Sequence, residues 1–442
     1  MLKKELTFWD SIAVTVGSVI GVGIFRVPSV AAQFVSEPRG MMLVWLAGGA
    51  VALLGALCYS ELSSTYPETG GNYVYLKYAY GRWAAFLFGW SKLTVIRTAS
   101  IAGISYVFAE YLRNFFFFGP RGVKIVALVM IWLLTALNIL GLRYGKWLQN
   151  ILGAAKIAAL TGIIILGFSS GKGDWGHLAA SVPAPSAHHP LVAFGLALVP
   201  VLWTYGGWHE STFVAGEFKN SQVDLPASLL SATFLITILY LGVNLVYLYL
   251  LEPGTMAARP LIAADVMQLL FGNVGKKIIS ALILMNVLGV LNTVILTGGR
   301  IPFALAQDHP LFGFLKETSQ RFHTPYPALL LNAAWASVLV LFGSFDRLLF
   351  FYAAAVWFFF ALASFGILRL RRKYPDRKRP FSAWGYPVTV ILFGSSASAI
   401  CVNTLIHSPE SFIGILMIFS GVPFYFLSEA LRKRKAPVYA NH

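Results

Sequence analysis

The hydrophobic residues of this 442-residue chain are distributed as in a protein that crosses a membrane many times. Apolar segments long enough to span a bilayer as helices recur from one end to the other, separated by short polar connections. We predict about twelve spans, over residues 8–33, 41–62, 83–112, 123–140, 148–168, 191–215, 227–251, 277–306, 328–342, 348–370, 387–406 and 412–431. Composition agrees, because 57% of the residues are hydrophobic, 12% are charged and the mean hydropathy is +0.70. The predicted fold class is an all-α polytopic membrane protein with one transmembrane domain over residues 1–442.

The basic residues are unevenly divided between the two sides of the predicted bundle. The net charge is +16, and one set of alternate connections carries most of it: Lys3, Lys4, Lys77, Arg82, Arg143, Lys146, Lys219, Lys316, Arg321 and the runs 369–379 and 432–435. The opposite connections carry fewer: Arg39, Arg113, Arg121, Lys124, Lys172, Arg259, Lys276, Lys277 and Arg347. Because cytoplasmic connections are enriched in Lys and Arg, we predict a multi-pass protein of the cell membrane with both termini in the cytoplasm. This distribution argues against nucleic acid as the partner.

The sequence gives no reason to expect a metal, a cofactor or a disulfide. Cys58 and Cys401 fall inside predicted spans, where thiols pack as small apolar side chains. His188 and His189 are adjacent in a polar connection and lack the companion ligands of a metal site. The first apolar segment has no small-residue cleavage site, so we interpret it as a span rather than a signal peptide.

Glycine-rich stretches interrupt two of the predicted spans, at residues 17–25 and 205–209. Glycine is unfavourable inside a helix, and paired interruptions of this kind are typical of discontinuous helices that bind a substrate. The half-helix after the first break, from about Ile24, would present free N–H groups that favour a carboxylate. Carbonyls before the break, near Val19, and at the second break would favour an ammonium. One α-amino acid carries both charges.

An alternative explanation is that these glycines only allow close packing between helices. Gly17 and Gly21 have the small-xxx-small spacing that does this in membranes. Two breaks in one chain are less expected from packing than one, so we favour a binding site.

Four motifs, taken in order and spacing, carry a family resemblance that covers the whole chain. They are residues 17–25, residues 56–62 continuing to 67–76, the sequence Val95-Ile96-Arg97, and Tyr205-Gly206-Gly207-Trp208 continuing to 217–220. With these motifs the sequence resembles the amino acid-polyamine-organocation transporter superfamily, and within it the L-amino-acid transporter branch. That branch includes bacterial exchangers and the light subunits of heteromeric transporters.

The resemblance implies a leucine-transporter-type fold with a 5+5 inverted repeat, helices 1 and 6 unwound, and alternating access to a site at the midplane. The repeats would cover residues 8–168 and 191–370, followed by two extra helices in 387–431. It implies that N–H groups of Val22, Gly23 and Ile24 bind the substrate carboxylate. Carbonyls of Val19, Trp203 and Gly206 would bind the amine. Ile20, Gly21, Tyr205 and Tyr240 complete the predicted substrate-binding set, and Trp203 would act as the aromatic gate unless it is an ordinary packing residue.

Lys156 lies near the middle of a predicted span, where a charge requires a partner or a function. The resemblance implies that its ammonium replaces a sodium ion, together with Gly17, Asn292 and Thr293. We expect sodium-independent transport; the alternative is a lysine that snorkels to the interface.

Other polar residues within the predicted spans are expected mainly to pair across helices: Lys92, Arg97, Glu110, Glu210 and Glu217. His209 stands where relatives more often have Asp or Asn, which leaves proton coupling and side-chain selectivity open.

The predicted function is secondary transport of neutral L-amino acids, preferably with small to mid-sized side chains, by sodium-independent exchange or facilitated transport. One alternative is a proton-coupled amino acid or polyamine symporter, and another is a membrane amino acid sensor. An enzyme is not expected, because the chain lacks a zinc-ligand pair, a Walker loop and a nucleophile elbow. The light subunits that this sequence resembles carry a cysteine in the external connection after the third span, whereas residues 113–124 contain none. The resemblance therefore implies no disulfide-linked heavy chain, and we expect a monomer or weak homodimer.

Overall fold

The computed structural model describes residues 6–35, 37–140, 146–179, 189–322 and 324–435; the side chains of 146–152, 214, 217, 300, 303, 304, 307, 434 and 435 are outside that description. Lys3, Lys4, Arg143, His188 and the side chains of Lys146 and Glu217 therefore lie outside the described part. The regular secondary structure of the described residues is helical, apart from one isolated bridge between Leu6 and Phe218. The predicted all-α class is confirmed.

Eighteen α-helices follow one another along the described residues. They are α1 (Phe8–Val19), α2 (Gly23–Ala32), α3 (Pro38–Thr65), α4 (Asn72–Tyr80), α5 (Arg82–Ser91), α6 (Arg97–Leu112), α7 (Pro120–Ile139), α8 (Lys146–Ser169), α9 (Pro190–Tyr205), α10 (Ser221–Leu250), α11 (Pro253–Ala257), α12 (Ile262–Gly298), α13 (Arg300–Asp308), α14 (Tyr326–Phe342), α15 (Phe345–Lys373), α16 (Val388–His407), α17 (Pro409–Phe419) and α18 (Gly421–Lys435). A π-helical turn, Lys92–Ile96, joins α5 to α6 without a break. Three 3-10 segments lie at Trp175–Ala179, Glu210–Glu217 and Pro310–Lys316.

The starts of the helices follow from residues that suit unpaired N–H groups. A capping box between Thr7 and Asp10 begins α1, with the Thr7 N–H donating to Asp10 Oδ2 at 2.9 Å. Proline, which has no N–H to leave unpaired, occupies the first or second position of α3, α7, α9, α11, α14 and α17. His189 caps α9 through its Nδ1, which accepts from the Leu191 N–H at 3.4 Å, so this residue has a local structural role.

Seven helical segments of the described chain are long and apolar enough to cross a membrane: α3, α7, α10, α12, α15, α16 and the combined segment Pro409–Lys433. The pair α1 and α2, bent by 42° at the break, makes eight if counted as one span. Shorter apolar helices cover Gly153–Ser169, Pro190–Tyr205 and Tyr326–Phe342. The total of twelve spans and the division into inverted repeats stay predictions.

The observed helices depart most from the predicted span over residues 277–306. We predicted residues 277–306, whereas α12 covers Ile262–Gly298 and a separate α13 follows. A kink at Phe271 and Gly272, where Gly272 has φ +63°, joins an earlier helical piece to the apolar segment. Charged and polar residues in 259–277 concealed this extension in the hydrophobic pattern.

Four helix pairs bring the two glycine-rich stretches together. Helix α10 packs along both α3 and α1, while α9 packs against α2 and α3. The end of α1 and the end of α9 consequently face each other in the interior.

Candidate functional site

The first glycine-rich stretch leaves helical geometry over residues 20–22. Helix α1 ends at Val19, Ile20 adopts φ −73° and ψ 82°, and the Gly21 N–H folds back onto the Val19 carbonyl at 2.7 Å. Helix α2 begins at Gly23. Among the described residues, no acceptor is hydrogen-bonded to the backbone N–H groups of Val22, Gly23 and Ile24. These donors lie at the positive end of α2 and are buried.

The second stretch ends α9 at Tyr205. The Gly206 N–H bonds to the Trp203 carbonyl at 2.9 Å, and Gly206 then turns the chain away with φ −59° and ψ 146°. Gly207 has φ +112°, a conformation that L side chains rarely adopt. The chain continues as the 3-10 segment Glu210–Glu217 rather than as an α-helix.

The two stretches contact each other at glycines. A Cβ on Gly23 would lie 2.6 to 2.8 Å from the Thr204 side chain, and one on Gly207 would lie 2.7 Å from the Ser18 carbonyl oxygen. A Cβ on Gly17, in contrast, would meet no described atom within 4 Å. Close packing between helices therefore does not explain Gly17, whereas contact between the two breaks does explain Gly23 and Gly207.

Tyr240 of α10 connects both stretches. Its hydroxyl donates to the Val19 carbonyl at 2.9 Å and lies 3.4 Å from the Thr204 carbonyl. Its ring contacts those of Trp45 and Tyr205, with centroid distances of 5.9 and 5.1 Å. All three aromatic residues are buried. Two of the carbonyls assigned above to the substrate amine thus already accept from protein donors: Val19 from Tyr240 and the Gly21 N–H, and Trp203 from the Gly206 N–H.

The predicted substrate-binding residues are close together in the fold. Val19, Ile20, Gly21, Val22, Gly23, Ile24, Tyr205 and Tyr240 are buried, while Trp203 and Gly206 are half-buried. None of these side chains carries a charge. Their role in binding stays a prediction.

Trp203 begins a series of contacts that sequence reasoning missed. Its ring meets the Phe345 ring edge to face, with a centroid distance of 5.7 Å. The guanidinium of Arg26 lies over the Phe345 ring, 5.2 Å from its centroid. Arg26 Nε also pairs with Glu110 at 3.2 Å, and Arg26 Nη2 with Asp346 at 3.7 Å. A charge directly after the glycine-rich stretch was the available signal for Arg26.

Lys156 reaches the first break from α8. Its Nζ donates to the Gly17 carbonyl at 2.8 Å, and the residue is buried. The other two residues assigned to this position make different hydrogen bonds. Asn292 Oδ1 accepts from Asn138 Nδ2 at 2.7 Å, and Thr293 Oγ1 donates to the Gly289 carbonyl at 2.9 Å.

A second buried group of charges surrounds Glu210. Arg97 Nη2 lies 3.3 Å and Lys92 Nζ 3.9 Å from its carboxylate, and His209 Nε2 lies 3.9 Å away. Lys92 also lies 5.0 Å from the centroid of the Phe213 ring. The π-helical turn at Lys92–Ile96, a feature often found at functional sites, brings both cations to this carboxylate.

Both cysteines are buried free thiols. Cys58 Sγ lies 3.9 Å from Ser364 Oγ, and Cys401 Sγ lies 3.5 Å from the Ala354 carbonyl. Over the described residues, no group of three or more His, Cys, Asp or Glu side chains is arranged to hold a metal ion.

Comparisons with known proteins identify the family. The sequence profile of the family described as amino acid permease matches residues 6–427. The chain is 29% identical to the serine/threonine exchanger SteT of Bacillus subtilis (strain 168) over 441 residues, which is 98% of each protein. It is 30% identical to the human b(0,+)-type amino acid transporter 1, covering 96% of this chain and 88% of the relative. It is 27% identical to the human cystine/glutamate transporter, covering 96% and 85%.

These matches extend over nearly the whole chain and agree with the helical fold and its membrane-length segments. The family and these relatives are membrane transporters rather than enzymes, as the sequence predicted. The chain belongs to the amino acid permease family of the amino acid-polyamine-organocation superfamily, in the branch that contains the light-subunit transporters.

Proposed function

We propose that this protein carries neutral L-amino acids across the cell membrane by alternating access, as a sodium-independent exchanger or facilitated transporter. The observation that carries the proposal is the set of three buried N–H groups at Val22, Gly23 and Ile24 that have no acceptor within the described part of the chain. Buried donors of this kind are costly unless a ligand satisfies them. A carboxylate at the positive end of α2 does so.

The ammonium of the substrate would bind on the opposite side of the same break. Val19 and Trp203 offer carbonyl oxygens there, and Tyr240 holds the first of them in position. Gly206 and Gly207 remove side chains beside the second break. This arrangement supports recognition of the two charges on one carbon, which all α-amino acids share.

The side-chain preference rests on the absence of charge among the predicted binding residues. No fixed charge is available there to pair with a charged side chain, and the space beside Gly206 is limited, because a Cβ there would lie 2.9 Å from the Trp203 carbonyl oxygen. Small to mid-sized neutral side chains fit this description. The relative named as a serine/threonine exchanger supports the same choice and supports exchange as the mode of transport.

Sodium independence rests on Lys156. Its ammonium donates to the Gly17 carbonyl beside the first break, so a cationic group of the protein lies at that position. A bound sodium ion would be repelled at this distance. We further propose that both termini are cytoplasmic and that the chain functions without a disulfide-linked partner, since both of its cysteines are buried.

Uptake by proteoliposomes tests the proposal. A panel of radiolabelled amino acids is offered with and without internal amino acid, external sodium and a pH gradient. We expect uptake of neutral amino acids. Internal amino acid should accelerate this uptake, and replacing external sodium by potassium should leave its rate unchanged. Uptake confined to cationic substrates, or uptake that requires sodium, would contradict it.

Proton-coupled symport is the second candidate, and the group around Glu210 is the observation that favours it. Three basic side chains, Lys92, Arg97 and His209, each lie within 3.9 Å of the Glu210 carboxylate in the interior. In this case adding substrate would acidify vesicles loaded with a pH-sensitive dye. Exchange between neutral amino acids moves no net proton and leaves the dye signal unchanged.

A further inference from the structure

The end of α15 and the connection to α16 contain the largest group of neighbouring Lys and Arg residues in the chain. Residues 369–379 include seven Lys or Arg and one acid, Asp376. We name this segment, together with residues 380–387 that follow, the basic connection. It lies directly at the end of a membrane-length helix.

Some of these cations fold the connection onto the end of α3. Arg371 makes two bonds to the Glu61 carboxylate, at 2.8 and 2.7 Å, and the Ala383 N–H donates to the same carboxylate at 2.8 Å. Arg379 lies 4.0 Å from it and also donates to the Tyr374 carbonyl at 2.8 Å. Glu61 is buried, so these contacts fix the shape of the connection.

Two other cations have no such partner. Arg372 and Lys378 are exposed, and neither makes a hydrogen bond or an ion pair to any residue that the structure describes. Glu61 is already paired with Arg371, and Asp376 is the one acid among residues 369–379. The basic connection therefore keeps a large excess of positive charge. A positive surface of this kind, fixed in shape by buried contacts, is suited to an anionic partner.

The depth of the connection relative to the bilayer identifies that partner. Trp384, near its C-terminal end, is 67% exposed. The first turns of α16 expose a continuous apolar face, with Val388, Ile391 and Leu392 between 45 and 59% exposed. Such a face at the start of a membrane-length helix meets lipid, and tryptophan is enriched at the level of the headgroups. Arg372 and Lys378 therefore lie at headgroup level.

We infer that the basic connection is a binding surface for anionic phospholipid headgroups, with Arg372 and Lys378 as the contacting cations and Trp384 as the interfacial anchor. Glu61 and Arg371 join this surface to α3, the helix that packs against α9 and α10 around the candidate site. The inference concerns the membrane partner and does not depend on the identity of the substrate.

Lipid enrichment at the connection can be measured with one fluorophore. The native cysteines are 0 and 6% exposed, so a Ser382→Cys variant accepts a thiol-reactive dye mainly at that exposed position. The labelled protein is reconstituted in phosphatidylcholine bilayers that contain phosphatidylglycerol. Quenching by spin-labelled phosphatidylglycerol is compared with quenching by spin-labelled phosphatidylcholine at equal mole fraction.

We expect stronger quenching by phosphatidylglycerol, because each basic residue near a membrane attracts anionic lipid severalfold. The ratio of quenching by phosphatidylglycerol to quenching by phosphatidylcholine should fall toward one in the double variant Arg372→Gln/Lys378→Gln. It should also fall at high salt, where charge interactions are screened. The matched control, Arg121→Gln/Lys277→Gln, removes two exposed cations elsewhere and should keep the preference for phosphatidylglycerol. Equal quenching by both lipids in the otherwise unchanged protein, or an undiminished preference in the first double variant, would overturn the inference.

Discussion

The hydroxyl of Tyr240 donates a hydrogen bond to the main-chain carbonyl of Val19, 2.9 Å away, at the last residue of α1. It also lies 3.4 Å from the Thr204 carbonyl. One side chain thus fixes the distance between the two interrupted helices. In the proposed function this bond holds the Val19 carbonyl in place for the substrate amine.

Replacing Tyr240 with Phe tests that bond. Tyr240→Phe keeps the ring contacts with Trp45 and Tyr205 but removes the donor, at a cost of about 1 kcal/mol. We expect KM for the transported amino acid to rise about fivefold with the fold retained. Tyr247→Phe is the matched control, because the Tyr247 hydroxyl is buried without a hydrogen-bond partner in the described structure. Equal KM values for the two variants would show that the bond to Val19 has no part in binding.

Contact between the two breaks predicts different tolerance at two glycines of the first stretch. Gly23→Ala would place a methyl group 2.6 to 2.8 Å from Thr204, and we expect a loss of about 1–3 kcal/mol in stability and of most transport. The methyl group of Gly17→Ala would lie in open space beside α1. This variant should leave transport unchanged, and its stability should be unchanged or higher, because alanine favours helix more than glycine does. Thermal unfolding in detergent and uptake measure the two effects. Full activity of Gly23→Ala would mean that the breaks do not pack together during transport.

Lys156→Ala removes the ammonium that bonds to the Gly17 carbonyl. We expect transport to fall at least about tenfold, because an unpaired buried carbonyl costs roughly 1–3 kcal/mol and the break loses its cation. Lys172→Ala also removes lysine bonds to carbonyls, those of Leu269 and Leu270, but at an exposed position. That control should transport normally. Normal uptake by Lys156→Ala would exclude this lysine from the mechanism.

The ion pairs of Arg26 predict a strong effect on stability. Arg26→Gln leaves the carboxylate of Glu110 largely buried without its cation, which costs about 3 kcal/mol. The double variant Arg26→Gln/Glu110→Gln should recover most of that loss. If Arg26 also supports Trp203 through Phe345, transport stays low in the double variant although stability returns.

A surface ion pair is the control for this prediction. Arg347 lies 3.5 Å from Glu410 with its side chain 67% exposed, and Arg347→Gln should cost less than about 1 kcal/mol. Similar thermal shifts for Arg26→Gln and Arg347→Gln would show that burial of the Arg26 group contributes nothing.

The features that the sequence predicted well are those carried by local chemistry. Glycine-rich stretches within apolar segments predicted both breaks, and the position of Lys156 as a single cation within an apolar segment predicted that it has a partner. Helix class followed from the length of the apolar segments. Each of these signals lies within one stretch of chain and requires no knowledge of packing.

Relationships between distant residues could not be predicted in the same way. Glu61 and Arg371 are 310 positions apart, and the contact between Gly23 and Thr204 depends on how α2 and α9 pack. The hydrogen bond that Asn292 accepts from Asn138 likewise depends on a tertiary neighbour, whereas Thr293 donates to the Gly289 carbonyl of its own helix. The kink of α12 at Gly272 extended a helix beyond its apolar core.

In the proposed function, the main chain at the two breaks recognises both charges of an α-amino acid. Competition between substrate analogues in exchange-loaded proteoliposomes is the sharpest test of that recognition. The best transported amino acid is compared with its methyl ester, which lacks the carboxylate charge, and with its deaminated acid, which lacks the ammonium. We predict that each analogue competes at least about tenfold more weakly, since a charge-assisted hydrogen bond contributes about 1.5–3 kcal/mol. Competition by either analogue as strong as that of the parent amino acid would contradict the claim.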